Sequence, residues 1–178
     1  MYDKTLVDTP EKALVIINEL LSINKQQEIE IEHYKYDELT SLLLRKDHNA
    51  MLKDSIRELT LHGIPFMYAN LDMNGLKKIN TNEGYVVGDS YIKSIAVELI
   101  HGFRDSHIYR IGGDEFAIIR KGDCVDDFDI TLAKINNVEY GSVCVNSDTD
   151  LRDIDSIVTY VDSMIIKKKA QRKNRHSD

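Results

Sequence analysis

Two acidic corners carry the chemistry that this 178-residue chain offers. Asp72 stands at the C-terminal end of the apolar run Phe66-Met67-Tyr68-Ala69-Asn70-Leu71, with Asn74 two residues further on. Asp114-Glu115 follows Gly112-Gly113, between the apolar runs Ile108-Tyr109-Arg110-Ile111 and Phe116-Ala117-Ile118-Ile119. Each corner alone is ordinary, because Asp is at home at strand ends and in turns, and Gly and Asp tolerate positive φ. If the first run is a strand beside the hairpin, both corners reach one edge of a sheet. Three carboxylates there repel one another unless a divalent cation neutralises them. Carboxylate oxygens, a backbone carbonyl and substrate phosphates together make a Mg²⁺ environment. Two such ions activate a hydroxyl and stabilise an oxygen leaving phosphorus, so phosphoryl or nucleotidyl transfer is the reaction class.

Those corners need strands and helices to hold them. Thr9-Pro10-Glu11 opens a helix: Thr9 can cap, Pro10 suits the first helical position, and Glu11 favours its positive end. Ala13, Ile17, Leu20, Asn24, Gln27, Ile31 and Tyr34 then recur at alternating spacings of 4 and 3, a short heptad-like seam. It suits a helix packed on its own domain or a dimerising stalk. A second helical region is expected from Asp37 to about Leu61, before the Gly63–Pro65 break. Strand 66–71 follows, then a turn at Gly75, then helical spacing from Asp89 to about Ile100. The runs at 108–111 and 116–119 read as a hairpin. A short helix at 128–135, a strand at 139–145 and a final helix from about Leu151 through Lys169 complete the order. The expected fold class is α+β or α/β, a small mixed sheet with helices on its faces. Residues 1–36 form an N-terminal helix, and residues 37–178 form the domain proper.

Composition narrows the functions. The chain is 42% hydrophobic, enough for a sizeable core, and its net charge of −7 argues against general DNA or RNA binding. Residues 167–175 hold six basic residues and no acid. They read as a solvated helix end, a weak nucleic-acid tail or a phosphate clamp. No apolar run approaches the ~18–20 residues that span a bilayer, and acids occupy the N-terminal stretch where a signal peptide is apolar. Cys124 and Cys144 show no ligand spacing and read as two ordinary thiols of a reducing compartment, so a cytoplasmic setting without a membrane is expected.

Tyr109-Arg110-Ile111-Gly112-Gly113-Asp114-Glu115-Phe116 contains the signature of the GGDEF family, the diguanylate cyclases. Asp72-Met73-Asn74-Gly75-Leu76-Lys77-Lys78-Ile79-Asn80, then Gly84 and Gly88-Asp89, resembles that family's second block. Asp37-Glu38-Leu39-Thr40-Ser41-Leu42 with Arg45 is similar to its opening, and Val161-Asp162-Ser163-Met164 with Lys169, Lys173 and Asn174 to its close. The blocks come in the family's order over about residues 37–174. The resemblance implies a palm-like fold, as in nucleotide polymerases and adenylyl cyclases. It implies condensation of two GTP molecules into cyclic di-GMP and two pyrophosphates, one GTP being held by each domain of a homodimer. It assigns Asp72, Asp114, Glu115 and the Met73 carbonyl to Mg²⁺ (or Mn²⁺), and Asp114, Glu115 and Lys77 to catalysis. Asn80, Asp89 and the position held by Tyr85 would meet guanine, while Gly75, Leu76, Lys77, Lys169 and Lys173 would meet the phosphates. Lys167, Lys168, Arg172 and Arg175 keep the solvated reading.

The chain departs from the family in places. Tyr85 stands for a usual His, Thr81 for Asp, Glu139 for a small hydroxyl residue, Ile166 for Tyr, Arg172 for Gly and Lys173 for Arg. Phe103-Arg104-Asp105-Ser106 lacks the R-x-x-D pattern of the family's inhibitory site, which implies no product feedback by that route. Two other readings stay open. One is a catalytically inactive GGDEF-like module that binds GTP or a protein partner. The other is a related nucleotidyl cyclase or polymerase with another product.

Overall fold

The computed structural model of the chain describes residues 9–124 and 127–175. The first helix, α1 (Pro10–Lys35), belongs to a unit ending at Tyr36, and a second compact unit begins at Asp37. Thr9 caps it as expected, its hydroxyl oxygen accepting the Lys12 N–H at 3.3 Å. Leu14, Ile17, Leu20, Leu21, Ile31 and Tyr34 are all more than half exposed along it.

The second unit runs β1 (Leu43–Leu44), α2 (Arg45–His62), β2 (Phe66–Met73), α3 (Leu76–Glu83), α4 (Tyr85–Gly102), β3 (His107–Arg110), β4 (Glu115–Lys121), α5 (Asp127–Leu132), β5 (Val138–Val145) and α6 (Ile154–Arg175). The strands form one mixed sheet in the order β1-β3-β4-β2-β5, with β1 parallel to β3 and the other pairs antiparallel. The fold is α+β, a five-stranded sheet flanked by helices.

The expected helix start at Asp37 is corrected. Asp37–Thr40 is a turn: the Asp37 carboxylate accepts the Thr40 N–H at 2.9 Å and the Thr40 hydroxyl at 2.7 Å, and Ser41 takes a positive φ of 58°. A side chain that bonds its own backbone competes with a helix, so α2 begins only at Arg45. The short strand β1, which sequence periodicity missed, fills the gap. Gly63, left-handed at φ 68°, ends α2 with its N–H on the Leu59 carbonyl, as the Gly–Pro break implied.

β2 is buried from Phe66 through Leu71 and faces two cores by alternation. Met67, Ala69, Leu71 and Met73 pack with Ile92, Ile95 and Leu99 of α4 and with Phe128 and Leu132 of α5. Phe66 and Tyr68 pack with Leu52 and Leu59 of α2 and with Ile157 and Val161 of α6. Each such fully buried side chain is worth about 1.5–3 kcal/mol of transfer free energy. The interior strand β2 is therefore strongly held, and with it the acid at its end.

The two cysteines are not separate thiols, contrary to expectation: Cys124 and Cys144 are joined in a disulfide with Cα atoms 5.6 Å apart. β4 and β5 flank β2 on opposite sides. The chain leaving β4 passes the start of β2, Cys124 Sγ lying 4.0 Å from the Phe66 carbonyl oxygen, and meets Cys144 opposite Met67. Twenty residues of separation without a motif hid this pairing from the sequence.

Candidate active site

Strand register brings the acids together. Asp72 is paired with Glu115 on β4 and with Glu139 on β5. Directly opposed residues share a sheet face, so Glu115, Asp72 and Glu139 form one row across three strands on the α2/α6 side. Glu139, which the sequence marked only as a departure, is thus placed beside Asp72. Register would have revealed it had the neighbour of β2 been known.

Asp114 joins this corner through the backbone. Its carbonyl oxygen accepts the Met73 N–H at 2.9 Å, and the Glu115 carbonyl accepts the N–H groups of Ile111 and Gly112 at 2.9 and 3.2 Å. A Cβ on Gly112 would meet the Glu115 carboxylate, so glycine there leaves that side chain its room. Arg110 braces the hairpin, its guanidinium donating to the Gly113 carbonyl at 2.9 Å and to the Asp37 carboxylate at 3.0 Å. Burial pulls the Asp37 carboxyl upward, but the hydrogen bonds from Thr40 and Arg110 outweigh it and hold it below the ordinary carboxylate value.

Cations from α6 cover the row. Lys169 Nζ lies 2.6 Å from Asp72 Oδ2, and Arg172 Nη1 lies 3.7 Å from Glu139 Oε1. Lys168 donates to the Tyr140 carbonyl at 2.9 Å and sits 3.7 Å from the centre of the Tyr140 ring. The solvated reading is therefore corrected for Lys168, whereas Lys167 and Arg172 are exposed as expected. The side chains of Lys173 and Arg175 lie outside the described ones. The departures Glu139 and Arg172 face each other, one charge answering the other.

Two cavities open from this corner. One, of about 360 Å³, lies between α2, α6 and the sheet and is lined by Asp72, Glu115, Lys169, Arg45, His48 and Asp162 among others. The second, of about 340 Å³, is lined by Leu76, Lys77, Asn80, Tyr85, Gly113 and Asp114, with Thr81 at its side. Asp72 and Glu115 thus face one cavity and Asp114 the other. Asn80 projects from α3 with a buried Oδ1 that has no partner among the described residues, and a Cβ on Gly88 would overlap that atom. Gly88 therefore makes the room in which the Asn80 amide sits. Asp89, the next residue of α4, is exposed and outside that lining. Gly75, left-handed at φ 81°, turns the chain into α3, whose first N–H groups no side chain caps. The turn is pinned from two sides: the Tyr91 hydroxyl donates to the Asn74 carbonyl at 3.1 Å, and the Asn74 N–H to the Asn137 carbonyl at 2.8 Å.

Among the described residues, no three His, Cys, Asp or Glu side chains are gathered to hold a metal ion. The donor set nevertheless suits one. Asp72, Asp114, Glu115 and the Met73 carbonyl offer only hard oxygens, the ligands Mg²⁺ takes. Lys169 already sets a positive charge against Asp72, as a cation would.

The fold and these motifs agree with known proteins. The family model "Diguanylate cyclase, GGDEF domain" matches residues 34–127, and the chain belongs to that family. It is 32% identical over 109 residues to a probable diguanylate cyclase, DgcJ, of Escherichia coli, covering 60% of this chain and 22% of that protein. It is 28% identical over 109 residues to the diguanylate cyclase DgcS of Shewanella oneidensis, covering 61% of this chain and 36% of that protein. The chain therefore spans only about a fifth to a third of these relatives. The coiled coil and GGDEF domain of DgcB from Caulobacter crescentus, solved with c-di-GMP, superposes with a TM-score of 0.82 at 20% identity, over 90% of this chain and 94% of that one. A microbial GGDEF domain solved with cyclic di-GMP gives 0.65 at 27% identity, over 78% and 95%. Among the described residues, no helix is long and apolar enough to cross a membrane.

Proposed function

We propose that this domain is a diguanylate cyclase, joining two GTP molecules into cyclic di-GMP with release of two pyrophosphates. The observation that carries the reading is the pairing of Asp72 with Glu115, with Asp114 bonded through its carbonyl to Met73. Asp72, Asp114, Glu115 and the Met73 carbonyl would hold Mg²⁺ or Mn²⁺, which when bound lowers the pKa of the attacking hydroxyl and neutralises charge on the phosphates.

The cavity beside α3 and α4 takes the guanine. The buried, unpartnered Asn80 Oδ1 accepts from the base. Asp89 accepts from the ring N–H and amino group, and Tyr85 lies alongside. The uncapped N–H groups at Gly75, Leu76 and Lys77, at the positive end of α3, receive the phosphates. Lys77, Lys169 and Lys173 balance their charge. In each transfer the ribose 3′-oxygen bonds the α-phosphorus of the facing GTP. The bond from that phosphorus to the bridging oxygen breaks, pyrophosphate leaves with the bond's electrons, and the hydroxyl proton passes to Glu115 or Asp114.

Two copies must face one another, and the exposed apolar residues of α1 support a homodimer formed through that helix. Phe103–Ser106 supplies no R-x-x-D inhibitory site, so product does not feed back there. The proposed setting is the cytoplasm, where GTP is held, with no nucleic-acid or membrane partner; the Cys124–Cys144 bond removes the free-thiol argument for it.

Incubating the protein with GTP and Mg²⁺ and identifying products by mass tests the reading. Cyclic di-GMP and pyrophosphate in a 1:2 ratio are expected, with a rate per protomer that rises with protein concentration. GTP binding without any product, at concentrations that favour the dimer, would replace this reading with that of a non-catalytic module.

A further inference from the structure

A buried chain of hydrogen bonds runs beneath the acid row. Asn70 lies mid-strand in the buried run of β2 and is 5% exposed. Its Nδ2 donates to Asp162 Oδ1 on α6 at 2.7 Å, and its Oδ1 accepts the Tyr68 hydroxyl at 2.6 Å. The Tyr68 oxygen in turn lies 3.2 Å from His48 Nε2 on α2. The directions are fixed from the carboxylate end, which only accepts. Asn70 donates to it and Tyr68 donates to Asn70, while the His48 nitrogen pairs with the Tyr68 oxygen in a role set by its tautomer. A polar chain at the centre of an apolar layer costs stability unless every member is satisfied, so its presence calls for a role.

The position of the chain supplies that role. Gly141 on β5 is the direct partner of Asn70, and a Cβ there would overlap the Val161 carbonyl oxygen of α6. The helix therefore makes its closest approach to the sheet beside Asn70, with Asp162 next in sequence. Seven residues on, two helical turns along the same stripe, Lys169 reaches Asp72. Asp72 lies two residues beyond Asn70 on the same face of β2. Helix and strand are thus joined twice, once between the sheet and α6, where Asn70 and Asp162 also line the first cavity, and once at the edge.

We infer that Asn70 and Asp162 are positioning residues, seating α6 on β2 so that the Lys169 ammonium is presented to the acid row and to the phosphates that arrive there. The inference rests on the proposed GTP site for what Lys169 grips, but not for where Lys169 is held.

The test separates seating from general stability. The paired variant Asn70→Leu with Asp162→Leu removes the tie without stranding a buried carboxylate. Asp162→Asn keeps an acceptor for the Asn70 amide. In the paired variant the KM for GTP is expected to rise roughly tenfold, as for other residues that orient a ligand-binding group, with kcat within about threefold. Asp162→Asn should restore the wild-type KM. Independently of turnover, brief labelling with an amine-reactive ester, read by peptide mass spectrometry, should modify Lys169 several-fold faster in the paired variant while Lys167 is unchanged. Unaltered KM and unaltered Lys169 labelling in the paired variant would overturn the inference, as would an Asp162→Asn protein as impaired as the paired variant. Faster labelling of Lys169 in a protein whose wild type makes no product would uphold the seating and overturn the enzymatic reading instead.

Discussion

The two faces of the sheet solve different problems. On the α3/α4 face, β2 contributes Met67, Ala69, Leu71 and Met73 to an apolar slab. At its rim Asn80, Lys77 and Asp114 line an open cavity. On the α2/α6 face the same strand contributes Tyr68, Asn70 and Asp72, so polarity begins inside the core and ends at the acids. One face leaves a polar atom, the buried Asn80 Oδ1, without a partner among the described residues. The other commits them to one another before any ligand arrives. On the proposed reading, selectivity on the first face is local and separable from folding, whereas charge placement on the second is part of folding itself.

The most severe way to break this contrast is at the corner the faces share. Asp114→Ala should lower cyclic di-GMP formation by three orders of magnitude or more, roughly 4 kcal/mol of barrier. Its unfolding midpoint should stay close to wild type, since a turn carboxylate adds little to the core. Turnover at the wild-type rate would remove Asp114 from the chemistry.

Two glycines sharpen the comparison face by face. Gly141→Ala forces a methyl against the Val161 backbone, which cannot swing away, and should cost about 2–3 kcal/mol in urea denaturation. Gly88→Ala overlaps the Asn80 amide, the end of a movable side chain, and meets Leu76 at an ordinary 3.4 Å. Stability should change by less than about 1 kcal/mol there, while the KM for GTP rises roughly tenfold as the amide is displaced. Equal stability losses in the two variants would erase the distinction drawn between the faces.

The smallest effect concerns pH. Burial lowers the His48 pKa below the usual 6.5, so the folded protein holds the ring neutral where the unfolded chain already binds a proton. The unfolded state then carries more protons below pH 6.5, and stability falls on acidification from that point by at most about 1.4 kcal/mol per pH unit. Arg45, on the same helix, pushes in the same direction, and Asn49 opposes it. His48→Gln should flatten the dependence of the unfolding free energy between pH 6.5 and 5. An unchanged slope would assign that dependence to other groups.

Much of this was legible in the sequence because the site is written in short local patterns. Gly75 before a helix, Gly112-Gly113 before two acids, and Asp72 at the end of an apolar run each state their own conformation. The family resemblance carried the residue roles that geometry alone left open. Glu139, His48 and Asn70 were not legible, because their meaning lies in partners 67, 20 and 92 positions away. Strand order decides the first and helix seating the others, and no window along the chain contains either. The start of α2 was misread for the opposite reason. Asp37–Thr40 reads as the start of a helix, yet Asp37 and Thr40 close a turn on themselves while Arg110 claims the same carboxylate.

The link from Cys124 to Cys144 bears on the acids from a distance. β5 is an outer strand of the sheet, with β2 as its one neighbour. A border strand is the easiest to slide, and a slip of one residue turns every side chain over. For β5 that slip would swing Glu139 away from Asp72 and bring Tyr140 round in its place. Sulfur chemistry near Met67 fastens the far end of this strand, as a pin stops a drawer. What is kept from moving is the charge balance at the opposite end.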